Sequence, residues 1–461
     1  MRKQLVALGC VFLLVLLVVT ACTPAPTPAP AAPTKAPEAT KAPEATKAPE
    51  ATKAPAKVGK ITTWTKYNDL SPENIRDKWM KKAMEDYKAE TGNEITNVFA
   101  AYDQINSKLA VAVAAGGEVP DLAYIDTQQI FFHIANDTLM DLTDYVKNAP
   151  WAADMNPRAL EGCKAPDGRI LCVPLNIGNR VAFIWTQGWP NGWPKDTDAF
   201  LVEAERIRKT GKYPITFKAS EKYGIEGMFY GLTKSCGGRF NDDKGQADWA
   251  NPGAVKAAEF LRTLFVKDYA PKIDLAPGFD NEVPFQNGEA MAFPGISWTY
   301  VYRYPVKAPD GTVYDKGADS MAAAIADGKM AVVPYLACAG GKPVSHITSS
   351  ALAIPNGAKN VEGAKAFLNW LMQPKNSADC AAAIGGMPPI KSAESDPRFK
   401  TQYWQEVSRI AAEYGTPYPV LVNYDRAMVK LAQTFEELMA NPNLDIMTKL
   451  KEAQEEARKM K

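Results

Sequence analysis

The sequence predicts an α/β protein whose folded part divides into two lobes, each with a central, mostly parallel β-sheet flanked by helices. Three observations lead to this prediction. Between residues 60 and 125, strand-like and helix-like segments alternate, as is typical of a parallel sheet covered by helices. The alternation resumes after Pro174. The chain from Val58 onward is too long for one ordinary hydrophobic core, so two lobes are expected.

The first 21 residues are predicted to be a lipoprotein signal peptide. Arg2 and Lys3 precede an apolar run from Leu5 to Val19, and small residues then lead up to Cys22. A transmembrane anchor is the alternative, but the run is shorter than the ~20 residues that a span requires. We therefore expect export, cleavage before Cys22 and attachment of lipid to Cys22, which would tether the protein to the cell membrane.

Residues 22–57 are predicted to form an unfolded stalk. They consist largely of Ala, Pro, Thr, Lys and Glu, and Lys-Ala-Pro-Glu-Ala-Thr begins at Lys35, Lys41 and Lys47. Without large apolar side chains this segment cannot offset the entropy of ordering. In the polyproline limit its roughly 35 residues, at ~3.1 Å each, would reach on the order of 100 Å.

The elements that follow predict the first sheet and one side of a ligand site. Strands are expected at 60–64, 94–99 and 119–125, with a helix between Ser71 as its cap and Gly92 as its end, and a second helix at 104–115. In parallel sheets, ligands lie beyond the carboxyl ends of the strands. The polar residues that follow the first and third strands are therefore candidates for ligand contact: Tyr67, Asn68, Asp69, Asp126, Thr127 and Gln128.

The second half of the chain is predicted to repeat this alternation. Strands are expected at 180–186, 213–217, 290–294 and 330–335, and helices at 198–208, 252–265, 403–414 and 426–459.

Charge and motif content disfavour several classes of function. The formal net charge is +1 and no basic cluster stands out, which argues against a nucleic-acid partner. Only His133 and His346 occur, and no Cys-x-x-Cys pair is present, so we expect no metal and no cofactor. The sequence has neither a Gly-x-Ser-x-Gly elbow nor a phosphate-binding loop, and we expect no enzyme activity.

Two of the cysteines are predicted to form a disulfide, which an extracytoplasmic location allows. Cys163 and Cys172 flank the turn signal Pro166-Asp167-Gly168, so their side chains can meet across a hairpin. Cys236 and Cys338 are candidates for a second pair and Cys380 for a free thiol, although spacing leaves the connectivity open.

The order of short motifs resembles one family, the extracellular solute-binding proteins of carbohydrate ABC transporters, which include maltose-binding protein. The similar segments lie at 90–92, 116–121, 167–174, 181–185, 285–298, 350–355, 360–370 and 385–388. The sequence departs from the family's pattern at Trp185-Thr186, where Tyr-Asn is usual, and near Asn176 to Asn179, where an acidic residue is usual.

This resemblance implies a two-lobed type II periplasmic-binding-protein fold, with a hinge of several crossovers near Pro174, His346 and Ser392. The implied lobes are 58–176 plus 348–392 (N-lobe) and 177–347 plus 393–461 (C-lobe). The implied function is a monomeric, membrane-tethered extracytoplasmic receptor. It would capture a sugar or oligosaccharide in the cleft between the lobes and deliver it to an ABC import permease.

Aromatic side chains at the cleft are the candidates for stacking on a sugar ring. Trp64 ends the first strand, Trp298 and Tyr300 lie in a loop that relatives use for this purpose, and Trp404 follows the third crossover. Arg239, after Gly237-Gly238, is a candidate for polar contacts from the C-lobe. Two alternatives remain: a binding protein of the same fold for a polyamine, metal chelate or phosphodiester, and a surface glycan-degrading enzyme with a carboxylate pair.

Overall fold

The computed structural model describes residues 57–102, 104–219, 222–276, 280, 282–301, 303–419, 421 and 423–460. The predicted signal peptide, the lipidation site Cys22 and nearly all of the predicted stalk lie outside the described residues.

The described residues contain twelve β-strands. In chain order they are β1 (Lys60–Thr65), β2 (Glu94–Phe99), β3 (Leu122–Asp126), β4 (Val173–Pro174), β5 (Gly178–Trp185), β6 (Ala292–Ile296), β7 (Val306–Lys307), β8 (Val313–Tyr314), β9 (Met330–Val333), β10 (Ser345–Thr348), β11 (Ser350–Ala353) and β12 (Gly415–Thr416).

The same residues contain fifteen α-helices. They are α1 (Ile75–Thr91), α2 (Ile105–Ala114), α3 (Ile130–Ala135), α4 (Thr143–Asn148), α5 (Pro157–Glu161), α6 (Thr197–Arg208), α7 (Lys222–Ser235), α8 (Pro252–Val266), α9 (Val283–Gln286), α10 (Ser320–Ala326), α11 (Val361–Leu371), α12 (Pro374–Ile384), α13 (Gln402–Tyr414), α14 (Tyr424–Ala440) and α15 (Ile446–Lys459).

Two five-stranded sheets organise the fold, and we name the lobes by them. The N-lobe sheet has the order β2-β1-β3-β11-β4. Its strands β1, β2 and β3 run parallel, as the strand–helix alternation predicts, and β11 is antiparallel to both β3 and β4. The carboxyl ends of β1 and β3 therefore meet at one edge of this sheet.

The C-lobe sheet has the order β12-β10-β5-β6, with β9 also paired to β5. Here β5 is antiparallel to β6, β9 and β10, so the expectation of a mostly parallel sheet does not describe this lobe. The direction of β10 has a simple cause. Because the chain enters the C-lobe along β5 and leaves it along β10, these neighbouring strands must run in opposite directions.

Hydrogen bonds join the three segments that cross between the lobes. The backbone N–H of Ile177 donates to Met387 O at 2.7 Å, and Met387 N–H donates back to Ile177 O at 2.9 Å, which links the first crossover to the third. The Ser350 N–H donates to the side-chain oxygen of Asn176 at 2.8 Å, which links the first to the second. The crossovers thus form one bonded unit at the base of the cleft.

The helix after β1 begins later than the sequence predicts. Its cap is Asn74, whose side-chain oxygen accepts the N–H groups of Arg76 and Asp77, rather than Ser71. The Ser71 N–H donates to Asn68 at 3.2 Å, which holds residues 68–71 in a turn and keeps Ser71 out of the helix. The predicted end is correct, since Gly92 adopts φ 71°, the left-handed conformation that glycine allows.

Two further predicted elements differ from those in the structure. The predicted helix 426–459 is two helices, α14 and α15, because Pro442 follows the end of α14 and cannot continue its hydrogen bonding. The predicted strand 213–217 pairs through an isolated bridge between Tyr213 and Ala290, and the next N–H on the same side, that of Ile215, donates to Tyr269 O instead, at 3.3 Å.

Each lobe contains a disulfide among its described residues. In the N-lobe, Cys163 pairs with Cys172 across the hairpin, and both are fully buried. In the C-lobe, Cys236 pairs with Cys338 over a sequence separation of 102 residues. Cys380 is a buried free thiol. In the part of the chain that the structure describes, no helix is long and apolar enough to cross a membrane.

Candidate functional site

A cavity of about 340 Å³ lies between the two lobes, at the edge where β1 and β3 end. Both lobes contribute polar side chains to its wall. The N-lobe residues are Lys66, Arg76, Tyr102, Asp126 and Gln128, and the C-lobe residues include Arg180, Lys218, Glu282, Trp298 and Thr299. We refer to this space as the cleft cavity.

The N-lobe wall is a connected set of side chains at the strand ends. The Tyr124 hydroxyl donates to a carboxylate oxygen of Asp126 and lies 2.9 Å from the Ser350 hydroxyl. The Ser350 hydroxyl also donates to Asp126, at 3.3 Å. Burial, followed by the charge of Asp126, raises the pKa of Tyr124 well above its usual value, so this phenol stays protonated and holds the carboxylate in place.

Lys66 lies against two aromatic rings of this wall. Its ammonium nitrogen is 4.3 Å from the ring centre of Tyr124 and 4.7 Å from that of Tyr102, which are cation–π distances. Burial lowers the pKa of Lys66 to about 8, although Asp126 raises it, and Arg76 lowers it further. Gln128 completes the wall by donating from its side-chain amide to the Tyr102 hydroxyl at 2.9 Å.

Arg180 is a buried cation of the C-lobe wall. Its Nε donates to His346 Nε2 at 2.8 Å. Burial, and then the charge of Arg180, lower the pKa of His346 well below its usual value, so this imidazole is neutral and accepts the bond. A Cβ atom on Gly227 of α7 would lie only 3.0 Å from the guanidinium carbon of Arg180. Glycine at position 227 therefore leaves room for the guanidinium group of Arg180.

Glu282 lines the C-lobe wall but is bound within its own lobe. Its carboxylate accepts from Nε of Arg303, whose other nitrogens contact Asp280 at 2.6 and 3.0 Å. Burial raises the pKa of Glu282, while Arg303 and Lys218 lower it.

Trp298 combines a face on the cavity with close packing against the crossovers. The side chain is half-buried and lines the cleft cavity. A Cβ on Gly178 would lie 2.7 Å from the indole ring, and a Cβ on Gly385, which has φ 92°, would lie 2.7 Å from Trp298 Cα. Glycines in the first and third crossovers thus allow the close approach of Trp298.

The structure brings three of the predicted site residues into the cleft cavity: Asp126, Gln128 and Trp298. It places Thr127 at the hinge instead. The Thr127 hydroxyl accepts from Ser349 N–H at 2.9 Å, and the Thr127 N–H donates to Ser349 O at 2.9 Å. Thr127 also borders a separate space of about 1010 Å³ between the lobes, which α3 and residues 415–418 help to line.

The other predicted aromatic residues of the C-lobe lie outside the cleft cavity. Tyr300 and Trp404 border a third space, of about 580 Å³, together with Trp79. Both are buried, and Tyr300 stacks on Tyr403 with ring centres 3.8 Å apart. Trp404 meets Tyr403 edge-on at 4.6 Å. These contacts are packing within the C-lobe.

The predicted residues after β1 form the turn before α1 and do not line the cleft cavity. Tyr67 is 2 % exposed and packs edge-on against Trp79 and Tyr124. The Asn68 N–H donates to Asp77 at 2.9 Å, and Asp69 accepts from the Asn97 side chain at 2.7 Å.

Two further predicted site residues, Trp64 and Arg239, contact other side chains outside the cleft cavity. The Trp64 ring lies 4.8 Å from the ammonium nitrogen of Lys108 on α2. Arg239 pairs with Asp248 at 2.7 Å on the C-lobe and does not line the cleft cavity.

Several cavity residues were not predicted from the sequence. They are Lys66, Arg76, Tyr102, Arg180, Lys218 and Glu282. Lys66 could have been predicted from the sequence, because it directly follows β1 and precedes three residues that were predicted to contact the ligand. The other five residues offered no such signal, because a single charged or aromatic side chain in a helix, a strand or a loop is ordinary in any folded protein.

Among the described residues, no group of three or more His, Cys, Asp or Glu side chains is placed to hold a metal ion. His133 is buried and bonded to Thr138 at 2.8 Å and Asn106 at 3.1 Å. Burial lowers its pKa to about 3, which keeps it neutral.

Comparison with known proteins gives one family. The model of the bacterial extracellular solute-binding proteins matches residues 82–405. The diacetylchitobiose binding protein DasA of Streptomyces coelicolor is 25% identical over 360 residues, which cover 75% of this chain and 77% of that protein.

Solved structures show the same fold. The GacH receptor of Streptomyces glaucescens, solved unliganded and with acarbose, has a TM-score of 0.72 at 15% identity over 87% of this chain and 98% of its own. Maltose-bound MalE3 of T. maritima has a TM-score of 0.69 at 19% identity over 87% of this chain and 99% of its own.

Proposed function

Because the chain belongs to the bacterial extracellular solute-binding protein family, we propose that it is a receptor for a sugar or oligosaccharide, which it binds in the cleft cavity and delivers to an ABC import permease. The receptor works outside the cytoplasm as a monomer, without a cofactor and without chemical conversion of its ligand.

One observation carries the proposal: an aromatic face and polar groups from opposite lobes border the same cavity. Trp298 offers a flat apolar surface for the C–H side of a sugar ring, and Asp126 and Gln128 offer acceptors and a donor for hydroxyl groups. A ligand that touches both walls binds the closed arrangement of lobes better than an open one. Such a ligand shifts the population toward closure.

The relatives named above support this choice of ligand, since diacetylchitobiose, acarbose and maltose are all sugars or sugar-like compounds. The bonded crossovers support the mechanism. A hinge in which Asn176, Ile177 and Met387 keep their hydrogen bonds lets the two sheets move as rigid bodies.

The test is a thermal-shift screen of the full chain, purified in detergent, against a panel of mono- and oligosaccharides. A ligand present at ~100 times its Kd adds about 2.7 kcal/mol of stability, which raises the melting temperature measurably. Calorimetry then gives the stoichiometry, and we expect one site per chain.

Three results would contradict the proposal. The first is stabilisation by a polyamine, a metal chelate or a phosphodiester with no response to any sugar. The second is the appearance of cleavage products when the protein is incubated with the oligosaccharide, detected by chromatography, because a receptor releases its ligand unchanged. The third is no response to any compound of the panel.

The membrane anchor is part of the proposal and rests on sequence alone. Changing Cys22→Ser removes the thiol that would carry the lipid, so the variant should retain its signal peptide and remain unacylated. Mass spectrometry of the N-terminal peptide checks this in the native host or a close relative. A Cys22→Ser protein that is processed and membrane-bound like the wild type would contradict lipidation at this residue.

A further inference from the structure

The third space, of about 580 Å³, adjoins the cleft cavity, and both lobes line it. At the start of α1, Ile75 lines the third space and its neighbour Arg76 lines the cleft cavity. On the C-lobe, Tyr300 lines the third space and its neighbour Thr299 lines the cleft cavity. Because consecutive residues of two separate segments, one in each lobe, border the two spaces, a ligand in the cleft cavity can extend into the third space.

Aromatic side chains from both lobes line the third space. Trp79 of α1 is half-buried, and its ring meets that of Tyr67 edge-on with ring centres 5.6 Å apart. Tyr300 and Trp404 belong to the C-lobe and are 8% and 4% exposed. Flat aromatic surfaces of this kind suit the C–H faces of sugar rings.

The polar groups of Tyr300 and Trp404 have no hydrogen-bond partner in the part of the protein that the structure describes. This holds for the Tyr300 hydroxyl and for the Trp404 indole N–H. Phenols and indoles that are buried to this extent usually have such a partner. Burial, and then the charge of Asp319, raise the pKa of Tyr300 to about 12, so its hydroxyl remains a donor. A ligand hydroxyl in the third space would accept from both groups.

The charged residues that line the third space are balanced in number. Lys82 lies 2.7 Å from Asp86, and Arg398 lies 2.7 Å from Asp379. A neutral ligand fits such a lining, and the charged groups provide hydrogen-bond partners for its hydroxyls. The charged residues among the described lining are Lys78, Lys82, Arg398, Asp86, Asp319 and Asp379.

The cleft cavity alone is small for an oligosaccharide. Its volume of about 340 Å³ lies near the lower end of the ~300–1,000 Å³ that small-molecule pockets enclose, and the third space is the larger of the two. The two adjoining spaces together accommodate a longer chain of sugar units than the cleft cavity does.

We infer that the physiological ligand is an oligosaccharide of at least three units, which extends from the cleft cavity into the third space. There Tyr300 and Trp404 donate hydrogen bonds to its hydroxyls from the C-lobe, and Trp79 stacks on a sugar ring from the N-lobe. The inference rests on the proposed function, because it specifies the length of the ligand that the receptor binds.

The first experiment measures how the affinity depends on the length of the sugar chain. Calorimetry on the full chain in detergent uses malto-, cello-, manno- and chito-oligosaccharides of one to five units. In the series that binds, the tetrasaccharide should bind at least ~10-fold more tightly than the disaccharide, with one ligand per chain.

The results of this series separate the inference from the proposed function. A disaccharide that binds as tightly as the longer members would overturn the inference and leave the sugar receptor standing. Two tetrasaccharide molecules per chain would also overturn it, because they would show two separate sites. No binding of any member of the four series would overturn both proposals.

Tyr300→Phe tests the hydrogen bond proposed for the third space. The variant loses one oxygen atom and keeps the ring that stacks on Tyr403, so we expect it to fold. The ratio of tetrasaccharide to disaccharide affinity should fall roughly 3- to 10-fold, which is the value of one hydrogen bond. Tyr314→Phe is the matched control. It also removes a hydroxyl from the C-lobe, but one that donates to Asp327 at 3.0 Å, and it should leave the ratio unchanged.

Trp79→Ala tests the N-lobe side of the third space. Because the substitution removes an aromatic surface, the same ratio should fall at least ~10-fold. A melt without ligand accompanies each titration. A tryptophan that only packs against Tyr67 would lower the melting temperature and affect sugars of every length alike, which would contradict stacking.

An unchanged ratio in both Tyr300→Phe and Trp79→Ala would overturn the assignment to the third space. If Trp79→Ala does not fold, as judged by circular dichroism, the ratio measured for Tyr300→Phe against Tyr314→Phe decides alone.

Discussion

The N-lobe forms its wall of the cleft from side chains that bond to one another, whereas the C-lobe forms its wall from side chains that neighbouring groups hold in place one by one. In the N-lobe, Tyr124, Asp126 and Ser350 sit on two paired strands and bond to one another. In the C-lobe, Arg180 and Trp298 come from separate elements and are fixed by neighbours such as His346 and Gly178.

This difference between the lobes indicates that the two walls have different roles in recognising the ligand. The N-lobe wall is rigid because its groups satisfy one another before any ligand arrives, which is the condition for a preorganised site. The C-lobe wall contributes the indole ring of Trp298 beside the charged side chains of Arg180, Lys218 and Glu282. We expect the N-lobe to set the position of the ligand and the C-lobe to set its chemical class.

The two disulfides offer the largest expected difference between the lobes. Loop closure predicts that Cys236–Cys338, at a separation of 102, stabilises the fold by about 5 kcal/mol. The same reasoning gives Cys163–Cys172, at a separation of 9, about 3 kcal/mol. The measurement uses two double Cys→Ala variants, each of which keeps one disulfide. The free energy of urea unfolding is compared between the oxidised and reduced forms of each variant, so that no side chain is lost in the comparison.

Equal values for the two bonds, or a larger value for Cys163–Cys172, would contradict the loop-closure account. Such a result would indicate that strain or residual structure in the reduced chain outweighs the entropy of the longer loop.

Replacing one tryptophan in each lobe tests which wall of the cleft provides the aromatic ring that stacks on the sugar. Trp298→Ala should lower the affinity for the ligand by about 1–3 kcal/mol, roughly ten- to a hundredfold, because it removes an aromatic surface from the cleft cavity. Trp64→Ala in the N-lobe should leave the affinity unchanged, because that ring lies against Lys108 outside the cavity. Calorimetry on both variants, beside melts without ligand, provides the comparison.

A melting temperature lowered in Trp298→Ala with unchanged affinity would show that this side chain only packs against the crossovers. A loss of affinity in Trp64→Ala as large as that in Trp298→Ala would place the stacking face in the N-lobe instead.

The third expected difference is a pH dependence of opposite sign in the two walls. Lys66 has a pKa of about 8 in the folded protein against 10.5 unfolded, so between these values the unfolded chain binds more protons. Stability contributed by Lys66 therefore rises with pH across this window. Glu282 has a folded pKa above 4.5, so its contribution falls as pH rises past 4.5.

Urea unfolding of wild type, Lys66→Met and Glu282→Gln as a function of pH measures both contributions. We expect the wild type and Lys66→Met to diverge between pH 8 and 10.5. The wild type and Glu282→Gln should diverge in the acid range. Parallel curves for Lys66→Met and wild type across the alkaline window would show that the ammonium is well solvated.

Part of the N-lobe wall of the site was predictable from sequence, for a physical reason. Parallel strands place their carboxyl ends at one edge, so the residues after β3 could be located once the strand was recognised. Asp126 and Gln128 meet this expectation and line the cleft cavity. Asn68 and Asp69 do not, because Asp77 and Asn97 bind them in the turn before α1.

The same rule does not apply to the C-lobe, because its sheet is antiparallel. Arg180 near the start of β5 is paired with Ile296 at the end of β6. Arg180 is therefore at the same edge as Trp298, which lies two residues beyond β6. A search for residues that follow the carboxyl ends of strands finds Trp298, which follows β6. It does not find Arg180, which lies near the amino end of β5. The pairing direction that would reveal Arg180 depends on contacts between distant parts of the chain, which local sequence patterns do not contain.

The position of β11 has a consequence for biosynthesis. This strand lies between β3 and β4 in the N-lobe sheet, yet its Ser350 is separated from its partner Asp126 by 224 residues. A ribosome makes the chain from its N-terminus, so the first lobe lacks an interior strand until most of the protein has been made. Long-range pairing of this kind folds slowly. An exported chain must be unfolded while it passes through the translocation pore. Because the N-lobe sheet is incomplete until β11 has been synthesised, this lobe cannot finish folding early, and the chain stays unfolded for longer.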